Sequence, residues 1–149
     1  MDDENKSKEE LLAEIAKARR RIAELEASEE RYYQIVHNAN SIIMCMDTKG
    51  NLTFFNEFAQ RFFGFYKEEV LGKNVIGTIL SEKDTSGADL VAMIKDIVEN
   101  PERHSVNENE NIRSNGERVR VLWTNKAIIG DNGSIKEILC IGNVSANKV

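Results

Sequence analysis

The sequence predicts an α+β domain: a five-stranded antiparallel sheet with short helices between its second and third strands, preceded by an N-terminal coiled-coil helix. Three observations predict it. From Glu9 to about Val36 the chain is rich in helix formers, lacks Gly and Pro, and repeats its apolar residues in heptads. Two strand-like runs joined by a Gly turn open the remainder, and three more, separated by Asn-Gly pairs, close it. The stretch between them changes to helical spacing punctuated by glycines.

Composition narrows the classes. With 149 residues and 41% hydrophobic content, the chain suits one globular domain with its own core. The division expected is an amphipathic helix over 1–36 and a compact domain over 37–149. No apolar run approaches the roughly 18–20 residues that span a bilayer. The start, Met1 to Lys6, is polar and acidic, unlike a signal peptide, and a cytoplasmic location is expected. A net charge of −5 argues against nucleic acid as a partner. Cys45 and Cys140 fall inside strands and read as small buried residues, with neither disulfide nor metal-ligand spacing.

The N-terminal helix carries a dimerisation argument. Ile15 and Ile22 occupy a positions, and Leu11, Ala18 and Leu25 occupy d positions; Tyr32 and Val36 continue the stripe. β-Branched a residues opposite Leu at d favour two parallel strands. In that register Glu14 at g meets the partner's Arg19 at e, and Arg21 meets the partner's Glu26. Opposite signs in both pairs select a parallel homodimer. A helix packed on its own domain would present the same stripe.

In the domain, Ser41–Asp47 and Leu52–Phe55 form the first hairpin. Helices are expected at Glu57–Phe63, Lys67–Val70, Val75–Leu80 and Ser86–Glu99, the last burying Leu90, Met93, Ile94 and Ile97 and ending at Asn100-Pro101. Val106–Arg113, with its glutamates and asparagines, reads as a solvated edge strand. Asn115-Gly116 reads as a two-residue hairpin turn into Glu117–Ile129, and Asn132-Gly133 as a turn into Ser134–Val144.

The run Asp47-Thr48-Lys49-Gly50-Asn51-Leu52-Thr53-Phe54-Phe55-Asn56, continued by Phe63-Gly64-Phe65-Tyr66 and Glu68-Glu69-Val70-Leu71-Gly72-Lys73, resembles the PAS sensor-domain family, as found in sensor histidine kinases. Ser28-Glu29-Glu30-Arg31-Tyr32 resembles its lead-in, and Gly142-Asn143-Val144-Ser145 its terminal Asp-Ile-Thr signature. The resemblance implies a curved sheet with helices on one face, enclosing an apolar cavity. It also implies a sensory role in a two-component or related system. The handover to an effector, absent from this sequence, would run through Asn143, Val144 and Ser145. Neutral Asn143 departs from the family's acid, whose basic partner would here be Arg113 or Arg118.

Candidate residues for the pocket are Asn56, Phe62, Asn74, Ile79, Met93, Ile97, Trp123 and Leu139. Asn56 reads first as a helix cap, and Trp123 first as a core anchor. No phosphate loop, catalytic triad or metal-ligand spacing is present, so no catalysis is expected. No cofactor is required. Haem is disfavoured because the helix across Ser86–Glu99 contains no His. The light-reactive Cys of flavin relatives is missing from Asn74-Val75-Ile76-Gly77, whereas a redox flavin stays open, with Trp123 and Asn74 as contacts. The alternatives to a ligand-binding sensor are a ligand-free dimerisation module and this flavin redox sensor.

Overall fold

A computed structural model describes residues 7–144 of the chain. The acidic start and Ser145 lie outside the described residues. The chain divides into two units, one ending at Val36 and one beginning at His37.

Helix α1 spans Lys8–Asn38, opening with Ser7, whose Oγ accepts a hydrogen bond from Glu10 N. None of its residues is buried. The heptad residues from Leu11 to Tyr32 are exposed, Ile15 at 48%, Ile22 at 54% and Tyr32 at 65%, and Val36 is half-buried.

The second unit is an antiparallel sheet of five strands, β1 (Ile42–Asp47), β2 (Leu52–Phe55), β3 (Val106–Ile112), β4 (Arg118–Ile129) and β5 (Ile135–Val144), in the spatial order β2-β1-β5-β4-β3. Between β2 and β3 run α2 (Glu57–Phe63), α3 (Lys67–Val70), α4 (Leu90–Glu99) and a 3₁₀ turn at Pro101–His104. The first and last strands of the domain, β1 and β5, are neighbours inside the sheet, which leaves β2 and β3 as its edges.

Register decides the two faces. Ile42, Met44 and Met46 pair with Gly142, Cys140 and Ile138, and Trp123 pairs with Gly142. These residues share one face with Val121, and that face packs on Ala59, Phe63, Val70, Val75, Ile79, Leu80, Leu90 and Ile97 to form the core. Ile43, Phe54, Leu139 and Ile141 lie on the opposite face, as the pairs Cys45↔Phe54, Ile43↔Ile141 and Cys45↔Leu139 require.

Four local expectations need correction. Val75–Leu80 is a tight turn instead of a helix. Ile79 N and Leu80 N both donate to Val75 O, and Gly77 at φ +96° takes the backbone out of the helical region. The long helix begins at Leu90, not Ser86. Asp84 draws Ser86 N and Ala88 N into a side-chain-closed turn, leaving Asp89 as the cap that accepts from Ala92 N. The turns at Asn115-Gly116 and Asn132-Gly133 are three-residue loops. Gly116 N donates to Arg113 O while Arg113 N donates to Glu117 O, and Gly130–Ser134 repeats the pattern. Only Gly116 and Gly133 take positive φ there, so the type I′ geometry, with two such residues, is not used. Finally, β3 is an edge strand, but Asn109 and Asn111 on it are buried.

Candidate functional site

The sequence Asn107-Glu108-Asn109-Glu110-Asn111 alternates strictly, and a strand has a side-chain period of two. Folding β3 against β4 therefore turns all three asparagines to the core face, with Asn107 beside Trp123 and Asn109 beside Val121. The glutamates face outward, where Glu110 accepts from Arg118 at 2.6 Å and Glu108 from Arg120 at 2.8 Å.

Between these asparagines and α4 lies a small cavity of about 20 Å³. Met44, Met46, Ile79, Ile94 and Ile97 supply its apolar lining, together with Trp123 and Cys140. Its polar lining consists of four amides, those of Asn107, Asn109, Asn111 and Asn125. The amides are partly engaged. Asn111 Nδ2 donates to Asn109 Oδ1 at 2.6 Å, and Asn107 and Asn109 both offer Nδ2 to Met93 Sδ, at 3.4 and 3.6 Å. Asn125 Nδ2 donates to His104 O at 2.8 Å, tying the cavity wall to the turn after α4. His104 Nε2 in turn lies 2.6 Å from Asp96 Oδ2.

The cavity has no acid–base chemistry. Its sole titratable lining group is Cys140, whose thiol burial, and secondarily Cys45, push up to about 12. Cys45, on the other face, is raised to about 11 by burial and then by Glu137. Both stay protonated thiols and poor nucleophiles at neutral pH. Among the described residues, no group of three or more His, Cys, Asp and Glu could hold a metal, and no helix is long and apolar enough to cross a membrane.

The eight candidate pocket residues separate. Ile79, Ile97 and Trp123 line the cavity, and Met93 meets it through the two amide–sulfur contacts. Asn56 is elsewhere. Its Oδ1 accepts from Ala59 N and Ile43 N, and its Nδ2 donates to Ser41 O, so it caps α2 while fastening that helix to β1. Asn74 is a loop tie: Nδ2 reaches Lys49 O at 2.8 Å and Oδ1 accepts from Ile76 N. Phe62 lies under Arg113, whose guanidinium carbon is 5.3 Å from the ring centre. Leu139 faces away from the cavity, one residue out of phase with Cys140.

The three amides of β3 escaped the sequence reading, although their period of two against the glutamates carried the signal. At the chain's other end, Asn143 accepts a hydrogen bond from Ser41 Oγ at 2.8 Å. Arg113 and Arg118 instead bind Glu117 and Glu110. Asn143 thus joins β5 to the residue preceding β1, and Val144 ends the described strand.

Comparison with known proteins gives one family. The PAS fold family model matches residues 30–144. Among solved structures, the chain is similar to the PAS domain of an HTR-like protein from Haloarcula marismortui, with 17% identity and TM-score 0.66, covering 85% of this chain and 99% of that one. It is also similar to the PAS domain of the Cronobacter turicensis RpfR quorum-sensing receptor in complex with C12:0, with 26% identity and TM-score 0.55, covering 73% and 97%. A PAS domain from a two-component sensor histidine kinase aligns at 12% identity and TM-score 0.61, over 80% and 98%. No curated protein matches. A family match over most of the chain, agreeing with the strand order and with the helices laid on one sheet face, makes this chain a PAS sensor domain.

Proposed function

We propose that this domain is the sensory input of a cytoplasmic two-component or related signalling protein, that it receives a small molecule in the cavity between β3, β4 and α4, and that it works as a homodimer paired through α1. One observation carries the reading: the cavity wall is also the neighbour of the output strand. Trp123 lines the cavity, and its ring atoms would lie only 2.8–2.9 Å from a Cβ built on Gly142. Gly142 precedes Asn143 and Val144, the last described residues of β5. A ligand that moves Trp123 must therefore act on β5, because packed cores rearrange in discrete steps and do not absorb such a shift locally.

Two relatives support the reading in outline: one is a PAS domain of a sensor histidine kinase, the other a PAS domain in complex with C12:0. The stripe Leu11, Ile15, Ala18, Ile22, Leu25, Tyr32 and Val36 supports pairing, since its residues from Leu11 to Tyr32 are exposed and an apolar heptad face is stabilised by burial against a partner helix. The effector would follow the handover segment Asn143–Ser145.

A ligand-free dimerisation module is the second reading, favoured by the cavity's size. About 20 Å³ accepts about one water unless the side chains move. A bound flavin would demand still more room, and Asn74, one of its two expected contacts, is committed to Lys49 and Ile76.

Native mass spectrometry with an absorption spectrum of the same untagged sample tests these readings. A dimer carrying extra mass supports the ligand-binding sensor, and visible colour reassigns it to a chromophore such as flavin. A colourless dimer of bare polypeptide mass supports the ligand-free module. Replacing Ile15 and Ile22 with Glu should give monomers in light scattering; dimers that survive both changes remove α1 as the pairing element.

A further inference from the structure

Asn111 is fully buried, and its amide has a defined orientation. Nδ2 faces two acceptors, Asn109 Oδ1 at 2.6 Å and the Asn109 main-chain O at 3.3 Å. Reversing the amide would set oxygen against that main-chain oxygen, which fixes the assignment. The other end, Oδ1, is buried and accepts no hydrogen bond from the described protein. Buried amide oxygens are nearly always paired, so this one is open to a donor from outside the fold. No Lys, Arg, His, Asp or Glu lines the cavity. A charged guest would therefore lose its hydration with no counter-charge in return.

Resting on the reading of this cavity as a ligand site, we infer that it selects a small neutral molecule with an apolar body and one N–H or O–H group, which donates to Asn111 Oδ1. The body lies against Met44, Met46, Ile97 and Trp123. The methionines are unbranched and adaptable, so they yield to a ring larger than the present space. An apolar guest without a donor fits the same walls but leaves Asn111 unpaired, and an anion is rejected.

The test uses three five-membered probes: pyrrole, furan and pyrrole-2-carboxylate. Pyrrole has the N–H donor, furan the same ring without it, and the carboxylate keeps the N–H while adding charge. Trp123 is the chain's single tryptophan, so its indole N–H resonance reports cavity occupancy without ambiguity. Pyrrole is expected to bind about tenfold tighter than furan, as one hydrogen bond allows, and the carboxylate to leave the Trp123 signal unmoved. Equal affinities for pyrrole and furan would overturn the donor preference while leaving the cavity a ligand site. A carboxylate that binds as well as pyrrole would overturn neutrality. If none of the three moves the signal, the cavity reading itself falls, and this inference with it. Asn111→Leu should retain furan and lose the preference for pyrrole. A folded Asn111→Leu variant that keeps the preference would reassign it to another group and refute the role of Asn111. The wild-type affinity ratio decides the donor question even if that variant does not fold.

Discussion

Asp47 closes the first hairpin with one carboxylate. Oδ1 accepts from Lys49 N at 2.8 Å and Asn51 N at 2.9 Å, and Oδ2 accepts from Asn51 Nδ2. Burial acts to raise its pKa, but the hydrogen bonds from Asn51 and Lys49 together outweigh it and hold the group below its ordinary 3.8. A pKa lower in the folded than in the unfolded state favours the charged form on folding. The stabilisation is thus complete above the unfolded pKa and is lost as pH falls through the folded one. Asp47→Asn should therefore flatten the fall in stability between about pH 5 and pH 2, read from urea midpoints. An acid limb identical to the parent's would refute this. Asn56 was legible as a cap because cap chemistry is local. Asn111 was not, because it ends a polar run of alternating Asn and Glu on an edge strand, the composition of a solvated segment, and pairing with β4 is what turns its side chain to the core face.

The elements are set largely by their turns. The hairpins at Gly50, Gly116 and Gly133 share one device, a three-residue loop ending in a glycine at φ between +82° and +87°. Gly64 does the same at the end of α2, where its N donates to Gln60 O at φ +80°. The two uses differ in their surroundings. A Cβ on Gly116 meets nothing within 4 Å, whereas one on Gly64 would fall 2.2 Å from Ser114 Oγ. Gly116→Ala should cost about 1–2 kcal/mol, the strain of the left-handed region alone. Gly64→Ala should cost more, and Ser114→Ala should recover part of the excess. A thermal-denaturation cycle over these variants measures it, and strict additivity would show that the Ser114 contact is immaterial. Glycine punctuation was visible in the sequence, which is why strand and helix order was legible. The Val75–Leu80 turn and the late start of α4 were misread because Gly77 and Asp84 act through specific backbone bonds that composition does not express.

For the whole molecule, Gly142 is where β5, the strand proposed to carry the output, meets the cavity wall. A Cβ there would lie 2.8 Å from both Val121 Cγ1 and Trp123 Cζ3. Gly142→Ala should destabilise the domain by about 1–3 kcal/mol, the usual cost of overpacking, and should alter the near-ultraviolet dichroism of Trp123. A variant with parental stability and an unchanged Trp signal would remove this contact from the proposed relay.

The amino-acid sequence by itself determined the N-terminal helix, the order of the five strands and the family, because periodicity, caps and turn glycines act over a few neighbouring residues. Tertiary structure alone decided the site. β1 and β5 are apolar at successive positions, so local pattern cannot say which parity faces inward. Only their register sends Cys140 to the cavity and Leu139 to the opposite face. The same long-range pairing turned the asparagines of β3 inward, bringing amides distant in sequence from Met44, Trp123 and Cys140 into one small cavity.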